Sequence, residues 1–161
     1  MTLFEKTEQA LLAAGYRFER TDFNRPWGGF FVIEEEQAPQ FIAEYFPGRS
    51  TDDLIGGRKV SPKILLVAPQ KRLSWQYHHR RSEVWRVVDG PVGIMRSDTD
   101  AQTVVDTYQN NDTITLAKGE RHRLVGLDTW GVVAEIWQHT DPEHPSDEAD
   151  IVRLQDDFGR K

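Results

Sequence analysis

From Arg72 to Trp85 the chain reads RLSWQYHHRRSEVW, and this stretch carries its clearest structural pattern. Side chains on a strand alternate between two faces, so Gln76 and His78 share one face with Arg72. Polar side chains that point into a barrel need partners, because unpaired buried polar groups are costly. A metal ion would satisfy Gln76 and His78 together, and a hairpin would bring Glu83 of the following strand alongside His78.

Short β-rich segments continue on both sides of this stretch. The predicted strands are Lys63–Ala68, Arg72–His78, Glu83–Val88, Val92–Arg96, Thr103–Thr107, Thr113–Leu116, His122–Val125 and Val132–Trp137. Turn residues such as Lys118-Gly119 separate them. Closely spaced short strands with no long helix between them indicate an antiparallel sandwich or barrel. We therefore predict an all-β fold.

The residues before these strands follow a helical pattern in two places. Residues 2–14 predict a helix with a capping box formed by Thr2 and Glu5. A second short helix is predicted over Pro39–Phe46, where Pro39 suits the first turn. We expect one domain over residues 1–161, with an N-terminal extension (1–60), a barrel core (61–140) and a C-terminal tail (141–161).

His122 opens a later predicted strand and completes a candidate donor set with Gln76, His78 and Glu83. The set offers two imidazoles, one amide oxygen and one carboxylate. These donors suit zinc or another divalent first-row metal, with a position left for water or substrate. Each residue alone has a simpler interpretation, since a single strand histidine is more often structural and glutamine is a rare ligand. Only the combination favours a metal site.

Composition excludes several classes of protein. The absence of cysteine rules out disulfides and thiolate zinc sites. The formal net charge of -6 argues against general nucleic-acid binding, which needs a basic face. The strongest apolar run, Ile64–Ala68, is far too short to span a bilayer, and the N-terminus does not resemble a secretory signal. We expect a cytoplasmic protein with no membrane or nucleic-acid partner.

Basic residues are concentrated around the candidate donors. Glu83 is surrounded in sequence by Lys71, Arg72, Arg80, Arg81 and Arg86, and His122 is flanked by Arg121 and Arg123. A locally basic region on an acidic protein suits a small anion such as a sugar phosphate. The alternative is that exposed strand arginines are simply solvated.

The joint pattern resembles the cupin superfamily. The first cupin motif places two ligands one residue apart, then a glutamate, then a glycine. It matches Gln76-x-His78, Glu83 and Gly90, with glutamine in the position more often held by histidine. The second motif, Pro-x-Gly-x-x-His, matches residues 117–122 with alanine in place of proline. The resemblance implies a jelly-roll barrel, the double-stranded β-helix, preceded here by short N-terminal helices.

Within the cupins, the chain is most similar to the C-terminal domain of type II phosphomannose isomerases, which is often fused to a mannose-1-phosphate guanylyltransferase. The matching segments are Arg25–Gly28, Leu73–His79, Arg81–Trp85, Gly119–Leu124 and Asp150–Arg160. The resemblance implies a metal-dependent aldose–ketose isomerase that interconverts mannose 6-phosphate and fructose 6-phosphate. No Gly-rich nucleotide motif is present, so we do not expect the guanylyltransferase activity.

Roles for individual residues follow from the implied reaction, from positions on the predicted strands and, for Arg153 and Arg160, from the matching family positions. The metal ligands would be Gln76, His78, Glu83 and His122, with zinc as the first choice and manganese, nickel, cobalt or iron as alternatives. The catalytic candidates are Glu135 as the proton-transfer base, Lys63 as a second candidate, and Arg72 as the group that holds substrate near the metal. Substrate binding is assigned to Arg81, Arg153 and Arg160. The alternatives are that Glu135 pairs with an arginine and that Arg153 and Arg160 bridge to Asp150, Asp156 or Asp157.

Two other functions fit the same residues. One is a non-catalytic cupin that binds a sugar or nucleotide sugar, and the other is a metal-dependent oxygenase or another cupin enzyme. A further expectation concerns the face of Leu73, Trp75 and Tyr77, which is too apolar to lie in water. We expect the N-terminal segment or a second subunit to cover it, and we predict a homodimer because cupins commonly dimerise through such sheets.

Overall fold

The computed structural model describes residues 1–49, 59–141 and 143–160, and in this part of the chain eleven strands form two antiparallel sheets. The helices are α1 (Leu3–Ala13) and α2 (Ala38–Tyr45), with a 3-10 turn at Glu35–Gln37. The strands are β1 (Phe18–Arg25), β2 (Gly28–Ile33), β3 (Lys63–Val67), β4 (Trp75–Tyr77), β5 (Arg81–Asp89), β6 (Val92–Ser97), β7 (Val105–Tyr108), β8 (Thr113–Leu116), β9 (Arg121–Val125), β10 (Gly131–His139) and β11 (Val152–Gln155). The predicted all-β class is confirmed.

The larger sheet has the strand order β1-β2-β3-β10-β5-β8, and the smaller has the order β11-β4-β9-β6-β7. Strands from both ends of the chain join these sheets, since β1 and β2 extend the larger sheet and β11 forms an edge of the smaller one. Alternation along each strand gives the larger sheet two buried faces. Its inner face packs with residues of the smaller sheet, and its outer face packs beneath the helices.

The N-terminal helices cover the outer face of the larger sheet. The capping box predicted for α1 is confirmed, because the Glu5 amide donates to Thr2 Oγ1 at 3.1 Å and the Thr2 amide donates to the Glu5 carboxylate at 3.2 Å. Leu11 of α1 and Ile42 of α2 are buried in the same cluster as outward-facing residues of β3 and β10. No helix among the described residues is both long enough and apolar enough to cross a membrane.

The outward face of β4 is covered differently from our expectation. Trp75 is buried, and its indole Nε1 donates to the backbone oxygen of Asp100 at 2.7 Å. The Arg121 guanidinium lies 3.9 Å from the centre of the Tyr77 ring. Asp100, in the segment after β6, and Arg121, in β9, therefore cover Trp75 and Tyr77, whereas Leu73 lines the cavity inside the barrel. The expectation that the N-terminal segment covers this face is wrong. The homodimer stays a prediction.

The turn between β1 and β2 brings the N-terminal hairpin against β3. Gly28 has a φ of +147°, and a Cβ at this position would lie 1.9 Å from the backbone oxygen of Leu66. Only glycine tolerates this approach, because any side chain would overlap the neighbouring strand. The turn thereby holds Arg25 and Trp27 at the wall of a cavity inside the barrel.

Candidate metal centre

Three of the predicted ligands meet inside the barrel. His78 directly follows β4, Glu83 lies in β5, and His122 lies in β9, where its cross-strand partner is Gln76. The Glu83 carboxylate is 3.4 Å from His78 Nε2 through one oxygen and 3.5 Å from His122 Nε2 through the other. One donor atom from each residue lies within 4.8 Å of the others, and all three side chains are buried.

Hydrogen bonds to the backbone fix which nitrogen of each histidine is available. His78 Nδ1 lies 2.6 Å from the carbonyl oxygen of Asp150, and His122 Nδ1 lies 3.0 Å from that of Glu120. A carbonyl oxygen only accepts, so each Nδ1 carries the proton and donates it. Each Nε2 is then left with a lone pair directed at the Glu83 carboxylate.

This arrangement fits a bound cation. Within the described residues, His122 Nε2 is buried and has no hydrogen-bond partner. Two buried lone pairs face a buried carboxylate, and the Arg81 guanidinium touches one side of this cluster, 2.9 Å from Glu83 and 3.5 Å from His78 Nε2. It does not supply a partner for His122 Nε2, which a cation among the three groups would provide. Divalent transition metals are usually bound by carboxylates and by imidazole nitrogens, and the other nitrogen of each such imidazole usually donates a hydrogen bond that orients the ring. The three residues could therefore hold a metal ion.

The protonation states also suit metal binding. Burial acts to raise the pKa of Glu83, but neighbouring groups outweigh it and hold the pKa well below its usual range, and among them the Arg81 guanidinium is a permanent charge 2.9 Å away. Burial lowers the pKa of His78 to about 4, so its imidazole is neutral at physiological pH. An ionised carboxylate and a neutral imidazole are the forms that bind metal.

Arg81 fixes the Glu83 carboxylate in place. Its Nε donates to Glu83 at 2.9 Å, and its Nη1 donates to Ser146 Oγ at 2.9 Å and to the Asp147 carbonyl at 3.0 Å. The guanidinium also lies 4.0 Å from the centre of the Trp137 ring. Arg81 lines the cavity as predicted for a substrate-binding residue, but its donors already serve protein acceptors.

Gln76, the fourth predicted ligand, lines the same cavity. Its Oε1 accepts a hydrogen bond from the Ser74 hydroxyl at 2.5 Å. An amide oxygen has a second lone pair, so this bond leaves one acceptor position for another partner. The role of Gln76 as a ligand stays a prediction.

A cavity of about 270 Å³ opens beside the donor set. Among the residues that the structure describes, its charged lining consists of six basic residues and three acidic ones: Arg20, Arg25, Lys63, Arg81, Arg153, Arg160, Glu83, Glu135 and Glu148. Its apolar wall includes Trp27, Phe30, Leu65, Leu73 and Ile151. The excess of positive charge in an acidic protein favours an anionic ligand here.

Glu135 and Lys63 lie next to the donor set. The Trp85 indole Nε1 is 3.2 Å from the Glu83 carboxylate and 3.1 Å from the Glu135 carboxylate, so one N–H is shared between them. Lys63, the cross-strand partner of Glu135, places its Nζ 3.9 Å from the other Glu135 oxygen. Burial, with the Glu83 charge, raises the pKa of Glu135 to about 8. The structure therefore pairs Glu135 with Lys63, whereas the alternative considered from the sequence was pairing with an arginine.

The structure places the remaining predicted arginines differently. Arg72 is not part of the cavity lining; it pairs with Asp157 through two hydrogen bonds of 2.7 and 2.9 Å. Regular strand structure begins only at Trp75, so Arg72 does not continue the face of Gln76. Arg160 does line the cavity, although it also forms two bonds with Asp156, of 2.8 and 2.9 Å. Arg153 lines the cavity as well.

Asp150 orients the site, and sequence reasoning considered it only as a salt-bridge partner. Its carbonyl oxygen accepts a hydrogen bond from His78 Nδ1. Its carboxylate accepts hydrogen bonds from the His79 amide at 2.8 Å, the Arg80 amide at 3.0 Å and the Ser146 hydroxyl at 2.6 Å. It thus ties the C-terminal segment to the turn that carries His78. The one available signal was its position at the start of the matching segment Asp150–Arg160.

We expect Asp150→Ala to weaken metal affinity by up to roughly 10-fold, the lower end of the effect of outer-shell changes. The backbone carbonyl that accepts from His78 Nδ1 remains, but the carboxylate that anchors this carbonyl's segment to the His79 and Arg80 amides is lost. Stability should also fall by about 1–3 kcal/mol, since two partly buried backbone amides and the buried Ser146 hydroxyl lose their acceptor. Competition with a chromophoric chelator measures the affinity, and thermal melting measures the stability. Asp157→Ala, which removes a carboxylate outside the cavity, should leave the affinity unchanged. Equal affinities for the two variants would show that Asp150 does not position His78.

Comparison with known proteins places the chain in a family. The family model described as "Mannose-6-phosphate isomerase C-terminal" matches residues 34–156. The xanthan biosynthesis protein XanB of Xanthomonas campestris pv. campestris (strain B100) is 29% identical over 116 residues, which cover 72% of this chain and 23% of the relative. The alginate biosynthesis protein AlgA of Pseudomonas aeruginosa is 32% identical over 116 residues, covering 72% of this chain and 22% of the relative. The chain thus spans less than a quarter of the length of these relatives.

Solved structures agree on the fold. The capsular polysaccharide assembling protein CapF from Staphylococcus aureus aligns with a TM-score of 0.57 at 16% identity, covering 84% of this chain and 34% of that chain. Vicilin from hazelnut, Corylus avellana, aligns with a TM-score of 0.55 at 16% identity, and the alignment covers 85% of this chain and 35% of the vicilin chain. These likenesses confirm the cupin jelly-roll fold and nothing finer. With the match over most of its length, the chain belongs to the mannose-6-phosphate isomerase C-terminal family.

Proposed function

We propose that this protein is a metal-dependent aldose–ketose isomerase that acts on a sugar phosphate and interconverts mannose 6-phosphate and fructose 6-phosphate. One observation carries the proposal: the donors of His78, Glu83 and His122 converge beside a cavity that also contains a buried carboxyl group, Glu135, and an excess of basic side chains. Family membership supports the choice of reaction.

The proposed metal would be held by His78, Glu83 and His122, with Gln76 as a fourth ligand. Zinc suits this set of nitrogen and oxygen donors, and manganese, nickel, cobalt and iron are alternatives. A bound divalent metal would act as a Lewis acid on the oxygens of the two reacting carbons. Arg81 keeps the Glu83 carboxylate ionised and aimed at the donor set.

Glu135 is the proposed proton-transfer base. The reaction moves a proton between two neighbouring carbons, so one group must accept the proton and return it. A carboxyl group with a pKa near the working pH does both efficiently, and burial raises the pKa of Glu135 to about 8. Trp85 fixes one carboxylate oxygen, and the Lys63 ammonium, 3.9 Å from the other, stabilises the ionised form.

The basic lining supports an anionic substrate. Arg153 and Arg160 lie at the cavity wall and add to the positive charge that attracts an anionic ligand. The two relatives are named for xanthan and alginate biosynthesis, both of which are polysaccharides. A role in sugar metabolism is consistent with those names.

The test is metal-dependent turnover. We expect the purified protein to carry a divalent metal and to convert mannose 6-phosphate to fructose 6-phosphate in a coupled assay. The rate should fall to background after chelation and dialysis and return when metal is restored, because the metal supplies the electrophile for the developing negative charge. Metal binding without conversion of any hexose or heptose phosphate would favour the non-catalytic sugar-binding alternative. Oxygen consumption would favour an oxygenase.

A further inference from the structure

At one end of the cavity, two cations converge on a single carboxylate oxygen. Oε1 of Glu148 accepts from Lys63 Nζ at 3.0 Å and from Arg20 Nη2 at 2.9 Å. Glu148 belongs to the segment between β10 and β11, whereas Arg20 lies in β1 and Lys63 in β3. All three residues line the cavity. Three distant parts of the chain therefore build this end of the site.

The two cations share one oxygen of Glu148, and the other carboxylate near Lys63, that of Glu135, is farther away at 3.9 Å. Lys63 is nearly buried, with 10% of its side chain exposed, and its Nζ also lies 4.6 Å from the centre of the Trp137 ring. The Arg20 guanidinium lies 5.4 Å from the centre of the Phe30 ring. A phosphate monoester carries close to two negative charges and three acceptor oxygens, so it would satisfy both cations better than one carboxylate does.

Glu148 is placed so that only its side chain would need to move. Its side chain is 56% exposed, so the carboxylate can turn into solvent, and its pair with Arg20, which is 48% exposed, contributes little to stability. The neighbouring backbone is held firmly, because the Asp147 carbonyl accepts from Arg81 and the Asp150 carboxylate accepts from the His79 amide. An incoming anion can therefore displace the carboxylate without disturbing the segment that positions His78.

The location also fits one end of a sugar phosphate. Glu83 lies in β5, and Lys63 lies in β3 on the far side of β10. Two strand spacings separate them, which is about 10 Å. Glu135, on β10, lies between the two ends and is the cross-strand partner of Lys63. This spacing favours a ligand whose phosphate is several bonds away from the carbons that lie near the donor set.

We propose that Lys63 and Arg20 form a subsite for the terminal phosphate of a phosphate monoester, and that the Glu148 carboxylate occupies this subsite in the ligand-free protein. The assignment of that ligand as the substrate rests on the proposed function. Binding of the phosphate group itself requires no turnover, so the subsite can be tested separately from the isomerase reaction.

The test uses two probes that cannot be isomerised, inorganic phosphate and glycerol 3-phosphate, titrated calorimetrically into the protein. We expect Glu148→Gln to bind glycerol 3-phosphate roughly 5-fold more tightly than the wild type, because the internal competitor loses its charge. Glu143→Gln is a matched control, since it makes the same charge change at an exposed position of the same segment. It should bind like the wild type. Inorganic phosphate binding more tightly than the ester would overturn the assignment to a monoester.

Removing a cation should have the opposite effect. Arg20 is 48% exposed, so Arg20→Gln should fold normally, and we expect it to weaken glycerol 3-phosphate binding roughly 5-fold. Lys63→Met should weaken it further, with thermal melting as the check on folding. Unchanged affinity in Glu148→Gln, or full affinity in Arg20→Gln, would overturn the subsite. If Glu148→Gln binds glycerol 3-phosphate more tightly but the wild type does not turn over mannose 6-phosphate, only the isomerase is rejected. If the wild type turns over mannose 6-phosphate but the variants bind glycerol 3-phosphate as the wild type does, only the subsite is rejected.

Discussion

The Glu83→Gln variant is expected to lose both bound metal and isomerase activity. Glu83 supplies the only carboxylate of the proposed donor set among the described residues, and it contacts both histidine Nε2 atoms. The neutral amide removes the negative charge that offsets a divalent cation. Metal analysis after dialysis should show less than about a tenth of the wild-type content, and the coupled assay should give background rates.

The same substitution should reveal how metal and stability are linked. In the metal-free protein it leaves the buried Arg81 guanidinium without its charge partner, which should cost about 3 kcal/mol. Adding metal should stabilise the wild type by about 4 kcal/mol at a thousand times the dissociation constant, and should not stabilise the variant. Denaturant unfolding with and without metal measures both effects.

Asp157→Asn is the control for this experiment. Asp157 also forms a close pair with an arginine, Arg72, but it lies outside the cavity lining. This variant should keep its metal and its metal-dependent stabilisation. A Glu83→Gln variant that keeps a full equivalent of metal would rule out the donor set as we describe it.

The donor set could be predicted because its signals are short-range. Gln76 and His78 share a strand face, and Glu83 follows within the same hairpin, so alternation alone brings these residues near one another. His122 was added to the set as a histidine at the start of a later predicted strand, but its approach to Gln76 depends on the cross-strand pairing of β4 with β9, which local alternation does not give. The capping box of α1 was equally local, since it involves residues three positions apart.

The errors concern features that depend on tertiary contacts. Strand β1 was not predicted, because Phe18–Arg25 is a largely exposed edge strand without the apolar alternation that marks a buried one. Arg72 was assigned to the site because regular alternation was extended beyond the point where β4 begins. Glu148 was missed because its two cationic partners lie 85 and 128 positions away in sequence.

Glu135→Gln is expected to lower kcat by roughly 10²- to 10⁴-fold while the metal content stays at the wild-type level. The amide oxygen can still accept the hydrogen bond from Trp85, and a neutral amide resembles the protonated carboxyl group in size and charge. What the variant loses is the ability to take up a proton. Steady-state kinetics should therefore show a large change in kcat with KM within a few-fold of the wild-type value.

Exchange of the transferred sugar proton with solvent can show whether the proton-transfer base is Glu135 or the second candidate, Lys63. During turnover in D₂O, the wild type should incorporate deuterium at the reacting carbon of the sugar, because a carboxyl group exchanges its proton with water between acceptance and return. Glu135→Gln should lose this incorporation together with turnover. The control is Glu44→Gln, which should behave like the wild type, because the Glu44 carboxylate accepts a hydrogen bond from the Tyr16 hydroxyl and lies away from the cavity. If Glu135→Gln keeps full exchange and Lys63→Met abolishes it, the base is Lys63. The Glu135 carboxylate would then serve to hold that ammonium in place, as the 3.9 Å contact between them allows.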